Sequence, residues 1–173
     1  MITTAKGLSS GYAPIGAVIA SARVAGPFWR RGSAEVFRHG YTYSAHPTAC
    51  AVAAANLDLI EREQLVARVA GLEPVLARAL APLAGHDLVA EVRAGIGLLA
   101  AVEIAEDAGT ADPGLGPRLV AEIRERGVIT RLLRGAALQI SPPFVITEAE
   151  IGRIAEVFAS ALDEVAAGRG SGA

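Results

Sequence analysis

Thr3-Thr4-Ala5-Lys6-Gly7-Leu8-Ser9-Ser10-Gly11-Tyr12-Ala13-Pro14-Ile15-Gly16 is the stretch from which the rest of this 173-residue chain is read. Lys6 is the only lysine in the sequence; every other basic side chain with a permanent charge is an arginine. A guanidinium keeps its charge at any biological pH, whereas a desolvated lysine amine sheds its proton and becomes a nucleophile. One lysine retained in a Gly/Ser-rich turn points to amine chemistry, such as an imine with a carbonyl compound like pyridoxal phosphate (PLP). The plainer alternative is a solvated lysine at the end of a strand, and the residue alone does not decide between them.

The run from Thr4 to Val18 closely resembles the lysine segment of class III (fold type I) PLP-dependent aminotransferases, in the omega-transaminase subgroup. A second landmark of that family follows in His39-Gly40-Tyr41-Thr42-Tyr43-Ser44-Ala45-His46-Pro47. The likeness continues through Gly127-Val128-Ile129-Thr130-Arg131 and Ser141-Pro142-Pro143 to the last helix. It implies an α/β fold, the C-terminal portion of a fold type I transferase: the end of the large domain, then an α+β small domain. It also implies three roles. Lys6 is the catalytic lysine that holds PLP as an imine, Thr42 binds the PLP phosphate of the neighbouring subunit in a homodimer, and Arg131 grips a substrate carboxylate. Ala45 departs from the subgroup, which carries glycine there, so a slightly different backbone is expected at that point.

In the resembling family a large PLP-binding portion precedes the lysine. It supplies a carboxylate for the pyridine nitrogen, an aromatic that stacks on the ring, and a first phosphate loop. Here five residues precede Lys6, and the aspartates run from Asp58 to Asp163. The resemblance therefore implies a C-terminal fragment, inactive alone, or a mis-called start. The expected division is 1–63 for the large-domain remnant, 64–167 for the small domain, and 168–173 for a disordered tail.

Composition narrows the partners. With 52% hydrophobic residues there is material for a core, and a net charge of −2 argues against nucleic acid or an anionic membrane. The single cysteine, Cys50, excludes an internal disulfide and suits a reducing compartment; its Ala-rich setting predicts a buried, inert thiol. Neither a signal peptide nor a membrane-length apolar run is seen, so a cytoplasmic protein is expected. His39 and His46 lack a further ligand cluster, and no metal is expected.

Along the chain, residues 15–21 form an apolar run that predicts a buried strand. Residues 24–36 read as a loop with one helical turn. Pro47 opens a helix rich in alanine, expected to be buried. Leu65, Val69, Leu72, Leu76 and Leu80 repeat at helical spacing, with Gly71 and Pro74 expected to bend or break that helix. Strands are expected over 88–93, 98–104, 128–133 and 137–140, and a helix over 117–126 closed by Gly127. Residues 106–116 read as a Gly/Asp-rich loop. Thr147 and Glu150 are spaced as a capping box before the final helix.

For Arg131 the alternative is a surface arginine beside a hairpin, and the nearby Arg134 leaves the register open. For Thr42 it is a strand threonine with a backbone bond; for Ser9 and Ser10, turn chemistry is the better reading. The favoured function is transfer of an amino group from an amine or amino acid to a keto acid or aldehyde. A PLP-dependent aminomutase or decarboxylase of the same family is the runner-up, and a non-catalytic oligomerisation fragment is the reading from another class.

Overall fold

The turn at Gly11-Tyr12-Ala13-Pro14 reverses the chain so that β1 (Ile2–Ala5) and β2 (Gly16–Ile19) pair antiparallel, Ile2 opposite Ile19 and Ala5 opposite Gly16. This geometry comes from a computed structural model that describes residues 1–32, 34–133 and 136–170. Two compact units divide the chain, Met1–Gln64 and Leu65–Ala173.

The first unit continues through α1 (Ala22–Trp29) and α2 (Pro47–Arg62). Two expectations change here. The residues read as a loop from Val24 hold a two-turn helix, because the Ser21 carbonyl accepts from the amides of Val24 and Ala25 and starts the ladder. The strand and helix expected to be buried are largely exposed: Val18 is 66% accessible, and Ala53 is the buried residue of α2. A two-stranded ribbon has no sheet partners on either edge among the described residues, so nothing in these residues covers its apolar side chains. Cys50 is likewise exposed rather than a packed small hydrophobe.

In the second unit, α3 (Leu65–Leu80) runs unbroken through both Gly71 and Pro74. The missing Pro74 amide removes one rung, yet Leu65, Leu72, Leu76 and Leu80 are all buried on one face. Burial of that face outweighs one lost bond. The sheet that follows is antiparallel, in the order β3 (Val89–Ile96), β4 (Leu99–Ile104), β6 (Ala137–Ile140), β5 (Leu132–Leu133). Between its halves lie α4 (Glu106–Ala111), in place of the expected loop, and α5 (Leu115–Glu125). Gly127, at φ 90°, ends α5 in a Schellman pattern: its amide reaches the Arg124 carbonyl and that of Val128 reaches Ile123. Residues 128–131 do not join the sheet, so β5 is shorter than expected.

Alternation along β4 decides what the sheet faces. Ala100, Val102 and Ile104 point into the core with Leu138 and Ile140, while Glu103 and Gln139 lie on the open face. The core is completed by Leu119 and Ile123 of α5 and by Ile151, Phe158 and Leu162 of α6 (Glu148–Gly170). Helix α6 runs on to Gly170, so the tail expected from 168 is helical over its first three residues; residues 171–173 lie outside the described residues. Among the described residues no helix is long and apolar enough to cross a membrane.

The capping box forms. The Thr147 amide donates to Glu150 at 2.8 Å and the Glu150 amide donates to the Thr147 hydroxyl at 3.2 Å. The backbone bond from Thr147, then its hydroxyl, hold the Glu150 carboxyl below the ordinary value of 4.5. A depressed carboxylate adds stability that is present above the ordinary value and is lost as pH falls through the lowered one. Carboxyl NMR should place the Glu150 midpoint below 4.5, and Thr147→Ala, which loses the hydroxyl bond but keeps the larger backbone one, should return it only part of the way. A wild-type midpoint at or above 4.5 would show that the box does not depress it.

Candidate functional site

β1 ends at Ala5, and the chain enters a single 3₁₀ turn, Lys6–Leu8, with Lys6 in the left-handed region at φ 47°. That conformation costs a residue with a Cβ on the order of 1–2 kcal/mol and persists where neighbouring bonds hold it. Two sets of bonds do so. Buried Ser9 donates its hydroxyl to the Ala13 carbonyl at 2.6 Å and accepts from the Ala13 amide at 3.4 Å, closing the loop on itself. Asn56, on α2, donates from Nδ2 to the carbonyls of Gly7 at 2.9 Å and Leu8 at 3.2 Å. Its Oδ1 accepts from the Ser10 hydroxyl at 2.7 Å. Carbonyls only accept, so the amide nitrogen must face the turn. Both serines thus engage in turn chemistry. The Lys6 side chain is exposed, and no protein group among the described residues pairs with its amine.

Thr42 lies in a turn over 42–45 and is exposed, so the strand alternative does not hold. The turn is closed by the Ser44 amide on the Tyr41 carbonyl at 3.0 Å and by the Tyr41 amide on the Ser44 hydroxyl at 2.9 Å. Ala45 sits at φ 57°, where glycine is at ease and alanine is strained. Pro47 then occupies the first turn of α2, and the His46 ring nitrogen caps it by accepting from the Ala49 amide at 3.4 Å. A groove of about 680 Å³ runs between the ribbon and this turn, lined among others by Thr4, Val18, Tyr41, Tyr43, His46 and Cys50. Neither Lys6 nor Thr42 lines it. His39 meets Phe37 and Tyr41 edge-on, at 5.9 and 5.2 Å between ring centres. Among the described residues, no group of three or more His, Cys, Asp or Glu side chains is arranged to hold a metal ion.

Arg131 belongs to the second unit, on the open face of the sheet. Its Nε donates to the Gln139 side-chain oxygen at 2.7 Å, and the Gln139 amide nitrogen donates on to the Ser141 hydroxyl at 3.1 Å. The backbone fixes the pair as well, with the Gln139 amide on the Arg131 carbonyl at 3.1 Å and the Thr130 hydroxyl on the Gln139 carbonyl at 2.7 Å. Nε is thereby occupied by a neutral partner. Among the described residues the two terminal nitrogens, the fork that fits a carboxylate, have no protein partner, and Arg131 lines a groove of about 840 Å³ with Glu91, Arg93, Ile96 and Leu99. Arg134 lies outside the described residues.

Sequence reasoning missed Asn56 and Gln139. Asn56 carried a signal, because asparagine is a poor choice in the middle of an alanine-rich helix. Gln139 carried almost none: one polar residue in a strand reads simply as its solvent side.

Residues 1–162 match the family model described as aminotransferase class-III. The gamma aminobutyrate transaminase 1 of Solanum lycopersicum mitochondria is 34% identical over 170 residues, which are 95% of this chain and 33% of that protein. The putrescine–pyruvate aminotransferase of Pseudomonas aeruginosa is 35% identical over 172 residues, 96% of this chain and 37% of that one. Among solved structures, an (S)-enantioselective omega-transaminase from Thermomicrobium roseum superposes with a TM-score of 0.83 at 39% identity, over 94% of this chain and 37% of that one. The chain thus spans about a third of the length of the curated relatives it matches.

Proposed function

Since the chain belongs to the class III aminotransferase family, we propose that it carries the lysine, one phosphate contact and the carboxylate contact of an amino-group transfer site. The observation that carries this reading is the sole lysine of a family-matched chain, held in a left-handed turn with no partner for its amine among the described residues. The residues present suit PLP: a primary amine, a hydroxyl in the turn ahead of a helix start, and an arginine with two terminal nitrogens to spare. When bound, that cofactor supplies an aldehyde carbon and an electron-withdrawing ring.

The chain's own residues then divide the work. Lys6 Nζ would hold the cofactor through its amine, and as a free amine it would serve as the base that takes the proton from the amine-bearing carbon and returns it to the other end of the shift. The Thr42 hydroxyl donates to a phosphate oxygen, in a homodimer to that of the neighbouring subunit. Arg131 presents its terminal nitrogens to the carboxylate of an amino or keto acid, while Gln139 keeps the guanidinium plane in place through Nε. The substrate pair is an amine or amino acid with a keto acid or aldehyde.

Thr42 and Arg131 should fail in different ways. Losing a hydrogen bond to a charged group costs about 1.5–3 kcal/mol, so Thr42→Ala should weaken PLP retention tenfold or more whatever the substrate. Arg131→Ala should leave PLP bound and damage turnover of amino and keto acids, while amines lacking a carboxylate react nearly as before. PLP titration and single-turnover spectra of the full-length protein, with one amine and one amino acid, read both. Equal damage to the two substrates would remove the carboxylate role of Arg131. Unchanged PLP affinity would leave Thr42 an ordinary turn residue.

A further inference from the structure

We propose that Asn56 is a positioning residue for Lys6, its carboxamide clamping the turn that carries the amine. The proposal rests on Lys6 being the residue that holds the cofactor. One side chain, 46 to 49 positions away in sequence, bonds to Gly7, Leu8 and Ser10 at 2.9, 3.2 and 2.7 Å. The two carbonyl bonds fall on the 7–8 and 8–9 peptide units, just after Lys6, so the clamp fixes the turn immediately downstream of the residue that bears the amine. Among the described residues a Cβ added at Gly7 or Gly11 would meet nothing within 4 Å, so at these two positions hydrogen bonds and not side-chain contacts hold the backbone.

Two further features point the same way. Lys6 is a non-glycine residue at φ 47° and Ser10 another at φ 49°, and such a backbone needs external bonds to persist. The clamp also comes from α2, the helix whose first turn immediately follows the segment bearing Thr42. The same helix therefore holds the lysine turn from its middle and is preceded by the threonine turn at its N-terminal end. The carboxamide offers two donors and an acceptor at once, which neither leucine nor alanine can supply.

The experiment compares full-length wild type with Asn56→Leu, which keeps the volume and loses all three bonds, and Ser10→Ala, which spares both carbonyl bonds. Each is loaded with PLP, titrated with pH by visible absorbance, reduced with borohydride for peptide mapping, and assayed for amine transfer. In Asn56→Leu the label should remain on Lys6, the pH midpoint of the visible band should move, and kcat should fall on the order of 100-fold with KM little changed. Ser10→Ala should show the same signature in smaller measure. Wild-type kcat and midpoint in a folded Asn56→Leu protein would overturn the proposal. So would a loss of folded protein and activity in step, with the midpoint unmoved. Should Asn56→Leu not fold, Ser10→Ala decides: a displaced midpoint supports the clamp and an unmoved one refutes it. Absence of label from Lys6 in the wild type would instead fail the reading of Lys6 itself, and this proposal with it.

Discussion

Lys6→Ala is expected to lower amine transfer by roughly 10⁴-fold or more, since one substitution removes both the covalent anchor and the base that takes the proton. This sequence has no other lysine to form an imine in its place, and its arginines do not release a proton at working pH. The variant should still fold, because the amine has no protein partner among the described residues and the turn is held by Ser9 and Asn56. In addition, alanine inherits the left-handed backbone at a similar cost, so stability should barely change. The measurement is turnover of an amine with a keto acid by full-length protein, beside borohydride reduction and peptide mapping. Activity within about tenfold of wild type, or a pyridoxyl group mapped away from Lys6, would remove the lysine from the centre of the reaction.

Phe158→Ala should have the largest effect on stability. Phe158 is fully buried in α6, at the heart of the cluster that joins α3, α5 and the sheet. Truncating a buried phenylalanine costs about 3–5 kcal/mol in transfer and cavity terms, a factor of roughly 10²–10⁴ in the local opening equilibrium. Amide exchange reads this without assuming that the whole protein unfolds in one step. The amides of Val102 and Leu138, paired across the centre of the sheet, should lose protection by that factor. Val145→Ala, at a site 56% accessible, should leave them within about 0.5 kcal/mol of wild type. If Phe158→Ala costs no more than that control, the cluster is not the source of this unit's stability.

Much of this was written locally in the chain. The lone lysine in its Gly/Ser turn, the leucine face of α3, the glycine that closes α5 and the Thr147–Glu150 box each depend on residues a few positions apart. Interactions of that range survive translation from string to structure because the backbone alone brings the partners together. Other features depended on partners far away. Whether α3 would break at Gly71 and Pro74 turned on whether its apolar face found a cover, and burial of Leu72, Leu76 and Leu80 kept it whole. The alanine-rich helix and the β2 strand read as buried by composition, yet burial is a property of neighbours and not of the residue itself. The same reason hid Asn56 and Gln139. Their bonds to the Lys6 turn and to Arg131 link residues 8 to 49 positions apart, and only the folded backbone sets such pairs at hydrogen-bond distance.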